Sequence, residues 1–207
     1  TGLEQAQVRD LSGAIVSLKK SLKYNKYNTK ARNLLGLVYF ELGETVLALS
    51  EWVISKNLEP DNPMADRYLD EMQNTPGMLD KLNQTTKKYN QALLYCKQGS
   101  RDLATIQLRK VLILNPKFVA GHQLLALLSI QDGKYNEARK ELNIANKIDV
   151  RNTTTLRYSR EVRDKLKEQN QKRKKPKKDD VVSFQDGNDT IVMPNSSFRD
   201  MIDNTRA

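Results

Sequence analysis

Small residues and turn formers recur along this chain at fixed offsets, and that recurrence limits the fold more than any composition figure does. Around Ala48 stand Gly36 twelve residues before, Gly43 five before, Trp52 four after, Ser55 seven after and Pro60 twelve after. The same offsets around Ala138 give Ala126, Gly133, Leu142, Ala145 and Val150. Around Ala104 they give Ala92, Gly99, Leu108, Val111 and Pro116, and around Ala14 they give Gly2, Arg9, Leu18, Ser21 and Lys26. Ala14 to Ala48 is 34 residues, and so is Ala104 to Ala138. A unit of that length holds two antiparallel helices of about 14 residues, each about 20 Å long. The small residues sit where the helices approach. Gly43, Gly99 and Gly133 end the first helix, where a left-handed residue is easiest for glycine. Pro60 and Pro116 follow the second helix and stop it. Trp52, Leu108 and Leu142 fill the space between units.

A longer period lies above the first. Ala14 to Ala104 and Ala48 to Ala138 are both 90 residues apart. At the same spacing Ala65–Met72 (ADRYLDEM) aligns with Thr155–Val162 (TLRYSREV), matching Arg67 with Arg157, Tyr68 with Tyr158 and Glu71 with Glu161. The chain therefore reads as two copies of one block, each of two units plus a closing helix that covers the last apolar face. The expected division is 1–73 for the first block, 74–77 for a turn or hinge, 78–168 for the second block and 169–207 for a basic linker and tail. The helix from Met78 to about Gln98 is longer than a unit's first helix elsewhere, so an angle between the blocks is expected at 74–77.

The pattern resembles the tetratricopeptide repeat (TPR) family over about residues 2–152, as four units. Thr29–Asn62 is nearest the family pattern. The first unit departs from it, with Arg9 and Lys26 where glycine and proline are usual. The resemblance implies an all-α fold, a solenoid of helical hairpins in two tandem blocks with a mostly irregular C-terminal tail. It also implies that the first helices line a concave face. By register the candidate partner-binding residues are Asn33, Leu37 and Phe40, then Tyr89, Leu93 and Lys97, then Gln123, Leu127 and Ile130, with Arg157 on the closing helix. Such a mixture of apolar anchors and polar rims suits a peptide or a helix. The leucines also fit a reading as plain core. Some TPR domains clamp the C-terminal carboxylates of chaperones through Lys and Asn at set positions. Asn33 fits one such place, but Leu37, Leu93 and Leu127 occupy others, so chaperone-tail binding is not expected.

Catalytic chemistry is sparse. His122 is the single histidine and Cys96 the single cysteine in 207 residues. Neither has neighbours that make a metal site or an activated nucleophile; packing is the expected role of His122, and Cys96 reads as a small groove-side or buried residue. No disulfide framework is possible, which fits a reducing compartment. No carboxylate pair or Ser-His-Asp set appears, so the chain reads as no enzyme and as needing no cofactor. No basic segment followed by an apolar core marks a signal peptide.

The net charge of +10 is uneven: residues 163–178 hold nine Lys/Arg against two acids, so they carry +7 and the rest +3. The candidate anionic-surface residues are Lys172, Arg173, Lys174, Lys175, Lys177 and Lys178. Beyond them two short β-prone runs flank Asp186, Gly187 and Asn188, a turn or small hairpin within 181–194. This arrangement also resembles a bacterial family with a zinc ribbon, TPR repeats, a basic segment and one C-terminal membrane helix, although neither ribbon nor membrane helix lies within these residues. That resemblance implies repeats at the cytoplasmic face of a membrane, tethered by a segment outside this chain. The expected function is a non-catalytic scaffold for a protein or peptide partner. The alternatives are an RNA- or anionic-membrane-binding protein acting through 172–178, with nucleic acid disfavoured, and a self-associating solenoid.

Overall fold

The computed structural model describes the backbone of residues 1–174, 181–186 and 189–194, and the side chains of 1–171. The chain divides into two compact units, Thr1–Arg163 and Asp164–Ala207. The helices are α1 Gly2–Gln7, α2 Leu11–Tyr24, α3 Thr29–Glu41, α4 Thr45–Leu58, α5 Pro63–Asn74, α6 Met78–Lys97, α7 Arg101–Leu114, α8 Val119–Gln131, α9 Tyr135–Ile148 and α10 Thr153–Lys174. In the C-terminal unit, strands β1 Val181–Asp186 and β2 Asp189–Pro194 pair antiparallel from Val181↔Pro194 to Asp186↔Asp189.

Local chemistry explains where the helices begin. Asp10, Asn28, Asn62 and Asn152 each accept the backbone N–H three residues on, from Gly13, Ala31, Ala65 and Thr155, all at 3.0 Å. Each such cap satisfies one of the orphan donors of a first helical turn. The hairpin turns share another device. Arg9, Gly43, Gly99 and Gly133 all have positive φ, between 59° and 76°, at equivalent places in the four units. Arg9 thus adopts the conformation that glycine takes in its three counterparts.

The packing follows the repeat. Ala14, Ala48, Ala104 and Ala138 are wholly buried, as are Leu108 and, to within 1%, Trp52 and Leu142. Trp52 stacks on Tyr68 with centroids 4.7 Å apart, meets Phe40 at 6.0 Å, and donates its indole N–H to the Asn33 carbonyl. An aromatic side chain so placed typically contributes about 3–5 kcal/mol relative to alanine. The two closing helices match in detail. Arg67 lies over the Tyr68 ring and Arg157 over Tyr158, each 4.9 Å from the centroid. Asn33 donates to Asn62 as Gln123 donates to Asn152.

Besides the α5–α6 connection, the two blocks touch each other directly. The α3–α4 turn of the first block lies against the α7–α8 loop of the second. Val119 N–H donates to the Leu42 carbonyl at 3.1 Å, and the Asn115 amide to the Gly43 carbonyl at 2.8 Å. The α1–α2 turn lies against the α9–α10 loop. Buried Asp149 accepts the N–H groups of Leu11 and Ser12 and the Ser12 hydroxyl. Asn152 donates to Ser12, Val150 N–H to the Arg9 carbonyl, and Arg9 Nε to the carbonyls of Lys147 and Ile148.

Candidate docking groove

A groove of about 700 Å³ lies where the first block's α3–α4 turn faces α6 and the α7–α8 loop. Its walls are the α3–α4 turn, the first half of α6 and the α7–α8 loop. Phe40, Val46, Leu47, Met78, Leu82, Tyr89, Leu114, Pro116 and Phe118 give it an apolar lining, with Glu44, Lys81 and Lys117 at its edges. The size and lining suit a few inserted side chains of a partner segment.

The aromatic residues are held firmly. Tyr89 meets Phe118 edge to face at 4.8 Å, and Phe118 is buried. Lys117 lies 5.9 Å from the centroid of Phe40 while pairing with Glu41 at 2.9 Å. Val46 and Leu47 project from the first turn of α4 and are about half exposed, 50% and 43%. Glu44 opens α4 but bonds none of its backbone donors. Burial pushes its carboxyl above the usual carboxylate range. Burial, the Glu44 charge and then Cys96 push the Tyr89 phenol up in turn. Among the described residues no ion pair reaches Glu44, so the groove holds a carboxylate poor in compensation.

The groove joins two of the residues expected by register, Phe40 and Tyr89. Leu93 and Lys97 lie farther along α6 and are exposed, outside it. Leu37, Leu127 and Ile130 are half-buried on α3 and α8 and do not line it. Asn33, expected on the binding face, is buried and tied to Asn62. Gln123 likewise spends its amide on Asn152 and Thr155. Both join a first helix to the closing helix, a role that register alone does not separate from ligand contact. Arg157 is exposed on α10 beside Tyr158. The side chains of Lys172, Arg173, Lys174, Lys175, Lys177 and Lys178 lie outside the described residues. Sequence reasoning missed Glu44, Lys81, Val46, Leu47 and Phe118, which matter only because the blocks meet. The available signal was local: Phe118 and Val119 are apolar where the first block has Asn28 and Thr29.

His122 is buried between Glu141, 2.7 Å from Nδ1, and the Pro116 carbonyl, 2.9 Å from Nε2. It fastens the α7–α8 loop to α9. Burial pushes the Cys96 thiol up, away from thiolate chemistry. Among the described residues no cluster of three His, Cys, Asp or Glu could hold a metal ion, so they offer no zinc site. No described helix is long and apolar enough to cross a membrane.

No family model and no curated protein matches the chain. Solved structures of similar architecture do match. The first TPR of Spaghetti (RPAP3), bound to an HSP90 peptide, is 15% identical over 67% of this chain and 93% of its own, with a TM-score of 0.37. The C-terminal TPR-containing domain of a Plasmodium falciparum protein is 18% identical over 69% and 91%, with a TM-score of 0.42. PilW, a type IV pilus biogenesis factor, is 17% identical over 80% and 83%, with a TM-score of 0.38. No functional statement follows from likeness at this level. The fold is a stack of tetratricopeptide-type hairpins. The 34-residue register, the positive-φ turns and the buried alanines together define it.

Proposed function

We propose that the chain is a non-catalytic scaffold that takes a peptide or helix of a protein partner in the groove between its two blocks. The observation that carries this reading is the groove itself: apolar, about 700 Å³, and bordered by an under-compensated carboxylate. The partner segment best suited to it inserts apolar side chains against Phe40, Tyr89 and Leu47 and presents a basic side chain to Glu44. A cation there offsets the burial cost of the carboxylate. The place of action we propose, the cytoplasmic face of a bacterial membrane, rests on the +7 charge of residues 163–178 and on the family resemblance.

Affinity capture at physiological salt tests this with three proteins: the unaltered chain, a Leu47→Glu variant, and a variant with Lys172–Lys178 neutralised. Leu47 is exposed, so its replacement leaves the core intact. A protein retained by the unaltered and neutralised chains but lost with Leu47→Glu is the expected outcome. Material lost only on neutralisation, with affinity falling steeply as salt rises, assigns the function to the basic segment instead.

A further inference from the structure

We propose that the outer face of α2 and the loop after it bind single-stranded nucleic acid, with phosphates on the lysines and bases on Tyr24 and Tyr27. The sequence has no acid between Asp10 and Glu41, yet it holds Lys19, Lys20, Lys23, Lys26, Lys30 and Arg32 there. That stretch carries +6 and residues 163–178 carry +7, so the remainder of the chain is at −3. Outside the basic segment, the positive excess is therefore concentrated on one helix and the loop that follows it.

α2 buries Leu11, Ala14 and Leu18 in the core. At about 100° per residue its opposite face gathers Val16, Lys19, Lys20, Lys23 and Tyr24 within an arc of about 140°, and all five are exposed. The loop adds exposed Lys26 and Tyr27, and Lys30 is exposed in the first turn of α3. Tyr24 and Tyr27 are 83% and 64% exposed. Arg32 fixes the loop by donating to the Lys26 carbonyl from Nε at 3.1 Å and from Nη2 at 2.9 Å, and it pairs with Glu51. Among the described residues none of the five lysines enters an ion pair. Lys26 lies 5.1 Å from the centroid of Tyr27, and Lys19 lies 5.7 Å from that of Tyr39. Glu59 of the α4–α5 connection borders the patch, accepting from the Thr29 hydroxyl and the Asn62 amide, and exposed Asp61 follows it.

The repeat does not require this surface. At the 90-residue register Lys23, Tyr24, Lys26 and Lys30 become Ile113, Leu114, Pro116 and Ala120. At the 34-residue register Lys19, Lys20, Lys23 and Tyr24 become Val53, Ile54, Asn57 and Leu58. The charge complements a polyanion, and the rings select among polyanions. A helix that binds a membrane lays its apolar face into the lipid. The apolar face of α2 is inside the core, which leaves Val16 as its one exposed aliphatic side chain. An exposed tyrosine ring instead offers a face on which any unpaired base stacks. Lysines without partners and open rings together fit a strand whose bases are free.

Fluorescence anisotropy with a labelled oligothymidylate of about 15 nucleotides tests this. The protein is the full chain with Lys172–Lys178 neutralised, so that the basic segment does not contribute. Binding that weakens as salt rises is expected. Lys20, Lys23 and Lys30 make no hydrogen bond or ion pair among the described residues. Changing all three to Gln is expected to leave the helical spectrum unaltered and to lower the slope of log affinity against log salt by about 2. Tyr24→Ala/Tyr27→Ala is expected to weaken the oligonucleotide on the order of tenfold per ring, with the salt slope kept. Heparin, a polyanion without bases, is expected to bind that variant as before. Leu47→Glu lies outside the patch and is expected to leave oligonucleotide binding unchanged, so this proposal and the groove reading fail separately. Absence of oligonucleotide binding, an equal loss of heparin and oligonucleotide in the tyrosine variant, or binding confined to vesicles of phosphatidylglycerol would each overturn the proposal.

Discussion

At the scale of the residue, equivalent positions of the repeat carry unequal burdens. Gly43 and Gly133 share register and positive φ, 76° and 71°, but only Gly43 is pressed against another loop's backbone. Replacing Gly133 by alanine costs little beyond conformational strain, about 1 kcal/mol. Gly43→Ala adds a backbone collision and is expected to cost at least about 2 kcal/mol more, through overpacking. Urea unfolding of the two variants checks the difference, and equal losses would show that the α3–α4 turn is not confined by the α7–α8 loop. Glu44 makes a second residue-level case. Its folded carboxyl titrates above the usual range because burial disfavours the charge. The folded chain then binds that proton more tightly than the unfolded chain does. The resulting stability is full at acid pH and is lost as pH rises through the folded value. Glu44→Gln is therefore expected to melt above the unaltered chain at neutral pH, with the gain vanishing below about pH 4. A constant offset across that range would contradict the burial account.

At the scale of the element, the sequence was legible wherever a residue's neighbours lie within its own unit or the next. Ala14, Ala48, Ala104 and Ala138 mark helix crossings because only a methyl group fits there, and all are wholly buried. Arg9 was readable as the odd member of a glycine position, and it does take the left-handed conformation. Its tolerance there comes from partners 138 and 139 residues away, the Lys147 and Ile148 carbonyls, which no periodicity announces. The same limit governs the groove. Phe40 and Tyr89, which register alone picks out on first helices, both line it. Register does not pick out Glu44, Leu47 and Phe118, because they flank turns and become neighbours only when the blocks dock. Asn33 and Gln123 show the opposite error. A polar residue on the inner side of a first helix looks the same in sequence whether it awaits a ligand or holds a closing helix, and here it holds one.

At the scale of the whole compact unit, Thr1–Arg163, the loop contacts turn what would be a quasi-linear array into a coupled body. In a plain solenoid each repeat touches only its neighbours, and unfolding can begin at either end. Here the first turn of α2 is held by Asp149 from the far end of the repeat array, so fraying of the N-terminal helices must break a buried, charge-assisted network. Asp149→Ala removes the carboxylate and leaves two backbone donors and the Ser12 hydroxyl short of a partner, a loss of about 2–4 kcal/mol in total. The location of the damage is more telling than its size. The unaltered unit is expected to unfold in one calorimetric transition, with matching van't Hoff and calorimetric enthalpies. In Asp149→Ala the α1–α2 hairpin is expected to open first, seen as faster hydrogen exchange in α1 and α2 with protection in α7 and α8 retained. Uniform acceleration across all helices would mean that the blocks are coupled through their α5–α6 connection instead, and that the loop contacts between them are incidental to stability.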